Sequence, residues 1–229
     1  VDTIEVSERL ERVRERIEAA ARRAGRRSED VTLVAVTKGF PASLIAQALD
    51  AGLDHLGENR VQEAAIKIPP LRDKATWHLV GHLQRNKAKR ALELFDVIES
   101  VDSLRLAQEL QKRAEQVRNA PVPVLIEVNT SGESTKYGVT PGDLYGLLDE
   151  VVKLDRLTVH GLMTVGPIVP DPNDARPAFR RLRELAEGYE GAALTDLSMG
   201  MSDDFEVAVE EGATTVRIGT ALFGPRPAP

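Results

Sequence analysis

The sequence predicts an α/β fold: a single (β/α)8 TIM-like barrel with an extra N-terminal helix. Three observations predict it. Short apolar runs alternate with helical segments along the chain, eight such runs can be counted, and no Ser/Gly linker, low-complexity tract or composition shift divides the 229 residues. Alternation of this kind builds a parallel sheet, and eight parallel strand–helix units suit a closed barrel. The chain is slightly short for that fold, so its loops should be tight. An open doubly wound sheet is the alternative. No G-x-G-x-x-G follows the first strand, which counts against the dinucleotide-binding version.

The first element is a helix over 7–24, "SERLERVRERIEAAARRA". Leu10, Val13, Ile17 and Ala20/Ala21 recur at helical spacing, Ser7 is placed to cap the start, and Gly25 to stop it. Strands are expected at 31–36, 54–57, 77–80, 96–99, 122–128, 157–162, 194–198 and 214–218. Helices are expected between them, for example at 42–51, 103–118, 175–187 and 203–211. The loop-rich stretch 166–174 is too short to separate domains, so residues 1–229 are expected to form one domain.

Composition narrows the function. Apolar content of 42% and charged content of 29% suit a globular protein, and a net charge of -6 does not favour nucleic acid or anionic membrane. There is no cysteine, so disulfides, thiolate nucleophiles and Cys-ligated metals are excluded. The histidines (His55, His78, His82, His160) show no metal-ligand spacing. No apolar run is long enough to span a bilayer, and the charged N-terminus does not resemble a signal peptide. The expectation is a soluble cytoplasmic protein.

A barrel carries its chemistry at the C-terminal ends of its strands. Those positions hold Lys38, Glu58 and Asn59, His82, Asp102, Asn129, Met163 and Thr164, residues 198–202, and residues 217–220. Lys38 ends the run "VTLVAVTK", where an ammonium is costly to desolvate. It either snorkels into solvent or is placed for chemistry. After the seventh strand, "SMGMSDD" brings Ser198, Gly200 and Ser202 to the start of a helix. After the eighth, "RIGTALFG" brings Gly219 and Thr220 to another. Free N–H groups and the macrodipole at helix N-termini bind phosphate, and these two loops are a frequent phosphate site in barrels. Taken separately, Ser202 as a cap and Gly219 as a turn explain each loop.

A lysine across a barrel mouth from a phosphate cradle suits a Schiff base to a phosphorylated aldehyde, of which pyridoxal 5′-phosphate (PLP) is the obvious one. A half-desolvated strand end beside the cation Arg217 would supply the neutral amine. A lysine-dependent aldolase would use the same parts, with the phosphate on its substrate.

The segments "AVTKGFP", "GENRVQE", "WHLVGHLQRNK", "IEVNTSGESTKYG", "HGLMTVG" and "LSMGMSDDFEVAVEEGATTVRIGTALFG" resemble, in order and spacing, the pyridoxal phosphate homeostasis protein family (the YggS type, also called proline synthase co-transcribed homologues). The resemblance covers nearly the whole chain. It implies an alanine-racemase-like N-terminal barrel, PLP fold type III without the second β domain. It further implies that PLP is held as a lysine aldimine without established catalytic turnover, in the service of intracellular PLP homeostasis. By motif, Lys38 resembles the Schiff-base lysine and Arg217 the arginine facing the pyridine nitrogen. Ser202, Gly219 and Thr220 resemble the phosphate binders. Asn59 and His82 resemble pocket-lining residues, and Met199 is expected to pack against the ring. Lys136 resembles a basic residue near the mouth. Simpler readings stand beside these: Asn59 can cap the helix that follows it, His82 can fix a loop, and the run 84–90 can be a solvated helix face.

Two features argue against vigorous turnover. Arginine only donates hydrogen bonds, so Arg217 would keep the pyridine nitrogen unprotonated and the ring a poor electron sink. Racemisation also needs acid–base groups on both faces of the substrate carbon. In the racemases sharing this barrel, a second β-rich domain supplies a tyrosine. Here the sequence ends five residues after "LFG", so no such domain is expected in cis, and Tyr137 is the one tyrosine expected near the mouth. The alternative function is a PLP-dependent racemase or decarboxylase completed by a partner. Expected partners are PLP and PLP-dependent apo-enzymes, with no nucleic acid and no membrane, in a monomer or weak dimer.

Overall fold

In a computed structural model, describing residues 3–225 with side chains from Val6, the strands close into one barrel in sequential order β1 to β8, every neighbouring pair parallel. The order is α1 (Thr3–Arg23), β1 (Thr32–Val36), α2 (Ala42–Asp50), β2 (His55–Glu58), α3 (Val61–Lys67), β3 (Thr76–Leu79), α4 (Ala88–Leu94), β4 (Val97–Val101) and α5 (Leu104–Val117). It continues with β5 (Val122–Glu127), α6 (Leu144–Val151), β6 (Leu157–Met163), α7 (Arg176–Glu187), β7 (Asp196–Ser198), α8 (Phe205–Glu210), β8 (Thr215–Ile218) and α9 (Thr220–Phe223). Pairing of β1 with β8 closes the ring, with Thr32 opposite Thr215 and Ala35 opposite Ile218.

The N-terminal helix is longer than its sequence signal. It begins at Thr3, so Ser7 is an interior helical position and not the cap. Val6, Leu10, Val13, Ile17, Ala20 and Ala21 are its buried stripe, and it packs on α8, α9 and α2. Three helices escaped the periodicity reading. Two, α3 and α4, have only seven residues, and α6 carries Gly146 in its first turn. The basic run 84–90 is a short 3-10 turn leading into α4, with Arg85, Lys89 and Arg90 exposed. The helix expected from 203 starts at Phe205, because Asp204 Oδ1 accepts from Met201 N–H at 2.6 Å and holds a turn ahead of it.

Alternation along each strand divides the protein into two layers. Leu56, Trp77, Ile98, Ile126, Leu162 and Val216 are fully buried in the continuous apolar cluster shared with the helices. Their neighbours His78, Glu99, Glu127, Ser198 and Arg217 are also buried, yet polar. The apolar core is thus the layer between strands and helices, and the barrel interior is largely polar. Among the described residues, no helix is long and apolar enough to cross a membrane.

Candidate functional site

Lys38 stands two residues beyond β1, partly buried, in a segment pinned from both sides. Thr37 donates from its backbone N–H to Gly57 O at 2.9 Å and from its hydroxyl to Glu58 Oε1 at 2.6 Å. Lys67, reaching in from α3, donates to Thr37 O (2.7 Å), Glu58 Oε1 (2.8 Å) and Glu63 Oε1 (2.5 Å). Glu63 also accepts from Gly39 N–H at 2.7 Å. The residues on both sides of Lys38 are therefore tied to β2 and α3. Burial pushes the Glu58 carboxyl up, against the pull of Lys67 and Thr37. Its second oxygen has no partner among the described residues.

A cavity of about 350 Å³ opens at the C-terminal end of the barrel. Lys38 and Asn59 line one side, and Ser202, Gly219 and Thr220 line the other, with Arg217 also in its wall. Val36, Phe40, Val80, Val165 and Met201 supply apolar surface. Arg217 is only 4% exposed. It donates from Nη1 to Ser198 Oγ at 2.6 Å and from Nη2 to Thr164 O at 2.7 Å. Burial pushes its pKa down, against the pull of Glu99, Glu127 and Asp204.

The two expected phosphate loops meet at a single atom. Ser202 Oγ accepts from Gly219 N–H and from Ala221 N–H, each at 3.2 Å. Ser202 therefore does not cap its own helix but bridges to the loop after β8. The helices behind these loops are short, α8 of six residues and α9 of four, so their macrodipoles are small and the convergent N–H groups carry the anion affinity. Asn59 does not cap α3: the N-cap position is Arg60 without a side-chain cap, and Asn59 Oδ1 is buried without a partner among the described residues.

Two expected residues fall elsewhere. Met199 is fully buried in the apolar layer and does not line the cavity. Met201, two residues on, lines it instead. His82 is also absent from the lining. Its Nδ1 lies 3.2 Å from Asp102 Oδ2, and its ring stacks on Tyr137 at 3.8 Å and 9°. That arrangement is the loop-fixing role. Lys136 joins two mouth loops, donating to Gly166 O at 2.6 Å and pairing with Glu133 at 2.7 Å.

Sequence reasoning passed over Glu99, Glu127 and His78. Their signal was a charged or titratable residue inside an apolar run ("DVIE", "LIEV", "WHLV"), which in a strand buried on both faces places a charge inside the protein. Burial, with Asp102 adding and Arg217 opposing, lifts the Glu127 carboxyl to about 7, and its Oε2 has no partner among the described residues.

The residues present fit an anionic aldehyde with a flat polar ring. Two cations, Lys38 and Arg217, face the cavity against one carboxylate, Asp203, which is exposed at the rim. Backbone donors converge at one end, and the orphaned Asn59 Oδ1 awaits a donor.

The family model for the alanine racemase N-terminal domain matches residues 9–227. The pyridoxal phosphate homeostasis protein of Aquifex aeolicus is 48% identical over 223 residues, covering 96% of this chain and 97% of that protein. The protein of the same name from Escherichia coli K12 is 41% identical, covering 97% of each. The solved structure of PipY from Synechococcus elongatus PCC7942 with PLP bound superposes with a TM-score of 0.82 at 38% identity, over 96% of this chain and all of that one.

Proposed function

The chain belongs to the alanine racemase N-terminal domain family and, within it, to the pyridoxal phosphate homeostasis proteins, and from that premise we propose that it holds PLP in the cavity between Lys38 and the loops after β7 and β8. The observation that carries the reading is the meeting, in one cavity, of a lysine, a buried arginine, the Gly219 backbone and the hydroxyls of Ser202 and Thr220. A relative solved with PLP bound shares this fold over 96% of the chain, which supports the same cargo here. The relatives carry the name of homeostasis proteins and not of enzymes. Residues 1–229 act as one barrel domain on this reading, in the cytoplasm, as a monomer or weak dimer, and deliver PLP to apo-enzymes.

When bound, PLP supplies an aldehyde that condenses with amines and a ring that withdraws electrons. The protein does the rest. Lys38 offers the amine, held in place by the Lys67–Glu58–Glu63 cluster behind it. The Gly219 N–H, with the hydroxyls of Ser202 and Thr220, would bind the phosphate. Asn59 accepts at the cavity wall. Arg217, a donor with no acceptor lone pair, would present N–H to the ring nitrogen and so leave that nitrogen unprotonated, a weaker electron sink than a protonated one.

The test is sodium borohydride reduction of the PLP-loaded protein followed by peptide mapping. The expected label is on Lys38. Lys38→Ala should lose the covalent adduct while keeping weaker PLP affinity, because the phosphate donors and Arg217 remain. A label on another lysine overturns the assignment.

A further inference from the structure

A row of buried contacts runs from the far end of the barrel to the cavity. His55 opens β2, half-buried, with Nδ1 2.9 Å from His78 Nε2. His78 Nδ1 lies 2.6 Å from Glu99 Oε1. The other carboxylate oxygen of Glu99 accepts the Ser198 hydroxyl at 2.5 Å, and Ser198 Oγ accepts from Arg217 Nη1 at 2.6 Å. Five strands contribute one residue each (β2, β3, β4, β7 and β8), and the last four residues are less than a tenth exposed.

The direction of every bond is set by chemistry. Arg217 has only donors, so Ser198 accepts from it and gives its one proton to Glu99. Burial alone would raise Glu99, but His78, Arg217 and Ser198 together hold its carboxyl below the ordinary range, so it is an anion. An anion accepts, so His78 presents Nδ1–H to Glu99. In neutral His78 this leaves Nε2 bare to accept from His55 Nδ1–H.

We propose that His78, Glu99 and Ser198 are positioning residues for Arg217, and that the proton state of the His55–His78 pair sets how firmly Arg217 engages the bound cofactor. The proposal rests on the reading of the cavity as a PLP site.

With a neutral pair, Glu99 accepts only an uncharged N–H from His78, and Arg217 is the one cation on this row of contacts to balance its buried charge. A proton on His78 places an imidazolium 2.6 Å from Glu99. The carboxylate is then shared, the Ser198 bond weakens, and the interior carries an uncompensated positive charge beside Arg217. Arg217 keeps Thr164 O as a second anchor, with Glu127 and Asp204 as its remaining nearby carboxylates. At the other end, His55 borders a surface pocket with Glu11, Arg14, Glu15 and Glu18 from α1, Glu29 from the turn before β1, and its neighbour Asp54. Burial first and His78 second push His55 down, against Asp54 and Glu99, so it takes its proton on the acidic side of the ordinary histidine range.

The experiment is a double-mutant cycle read as PLP affinity. The dissociation constant is measured at pH 6 and pH 8 for the wild type, His78→Gln, Arg217→Met and the double variant. Within each Arg217 background the contributions of Lys38, of Glu127 (raised to about 7) and of the PLP phosphate are the same with and without His78, and they cancel when the two ratios are compared. The ratio Kd(pH 6)/Kd(pH 8) is expected to be about threefold or more larger in the wild type than in His78→Gln, and equal with and without His78 in the Arg217→Met background. A structural role for His78 would move the ratio equally in both backgrounds or not at all, and either result overturns the proposal. Should His78→Gln fail to fold, His55→Gln at the half-buried end takes its place, with the same pattern expected. A wild type that binds no PLP at either pH removes the cavity reading and this proposal with it. PLP binding with an unmoved ratio removes the proposal alone.

Discussion

The layer between strands and helices and the interior of the barrel are built from the same eight strands, yet their chemistry is opposite. Trp77 lies in a continuous apolar cluster, while the next residue, His78, is held between the His55 imidazole and the Glu99 carboxylate. Ile98 and Glu99 divide the same way, as do Val216 and Arg217. One face of each strand makes the fold and the other makes the site. The difference teaches that stability and ligand binding can be perturbed separately here, by residues adjacent in sequence.

The largest effect that sharpens this comparison belongs to the apolar layer. Phe95 is fully buried between α4 and β4, at the end of the barrel away from the cavity. Phe95→Ala should cost about 3–5 kcal/mol of stability through lost burial and the cavity left behind. The folded variant should still bind PLP with wild-type affinity. Denaturant unfolding alongside a PLP titration checks both, and a joint loss would break the separation of the two layers.

The interior should respond to pH where the outer layer does not. Glu127 has its carboxyl raised to about 7 from the ordinary 4.5, first by burial. An acid raised on folding binds its proton more tightly in the folded state. Its contribution is complete below about 4.5 and is lost as pH rises through 7. The wild type should therefore lose about 2–3 kcal/mol relative to Glu127→Gln between pH 5 and pH 8. Chemical unfolding of both proteins across that range measures it. A difference independent of pH would mean that Glu127 ionises in the folded state as it does in water.

The same division explains what could be read from the sequence. The strands were legible because their outward residues are apolar, and they were placed within two residues of their observed ends. At the mouth, Lys38, Asn59, Ser202, Arg217, Gly219 and Thr220 were legible because strand ends concentrate polar groups and the motifs fix their order, and the structure gathers all six around one cavity. Met199 and Met201 flank Gly200 and look alike in sequence. Only the turn held by Asp204 decides which of them is buried and which meets the cavity. His82 shares the mouth but is drawn aside by Asp102 and Tyr137, partners contributed by two later strand ends. The relay from His55 to Arg217 could not be read, since its five members are spread over 163 positions and meet only when the barrel closes.

The smallest expected effect tests the boundary between the two layers, where loops meet the cavity. Ser202 Oγ satisfies two backbone donors, Gly219 N–H and Ala221 N–H. Ser202→Ala removes that acceptor and should lower stability by about 1 kcal/mol, because both donors are near solvent and water replaces it in part. PLP affinity should fall less than stability suggests, since the freed Gly219 N–H still lines the cavity and a phosphate can take it. Gly219→Val is the counterpart. Gly219 has φ −116°, open to any residue, and an added Cβ would meet Val36 O at 3.5 Å and Val36 Cβ at 3.7 Å, ordinary contacts. The fold should tolerate the valine with little change in melting temperature, while its branched side chain crowds the approach of a phosphate to the backbone and weakens PLP binding by about tenfold or more. Thermal melts of the two variants should thus rank Ser202→Ala as the less stable, and PLP titrations should rank Gly219→Val as the weaker binder. If a single variant comes last in both measurements, the loops after β7 and β8 serve the fold and the ligand through the same contacts, and the phosphate lies elsewhere.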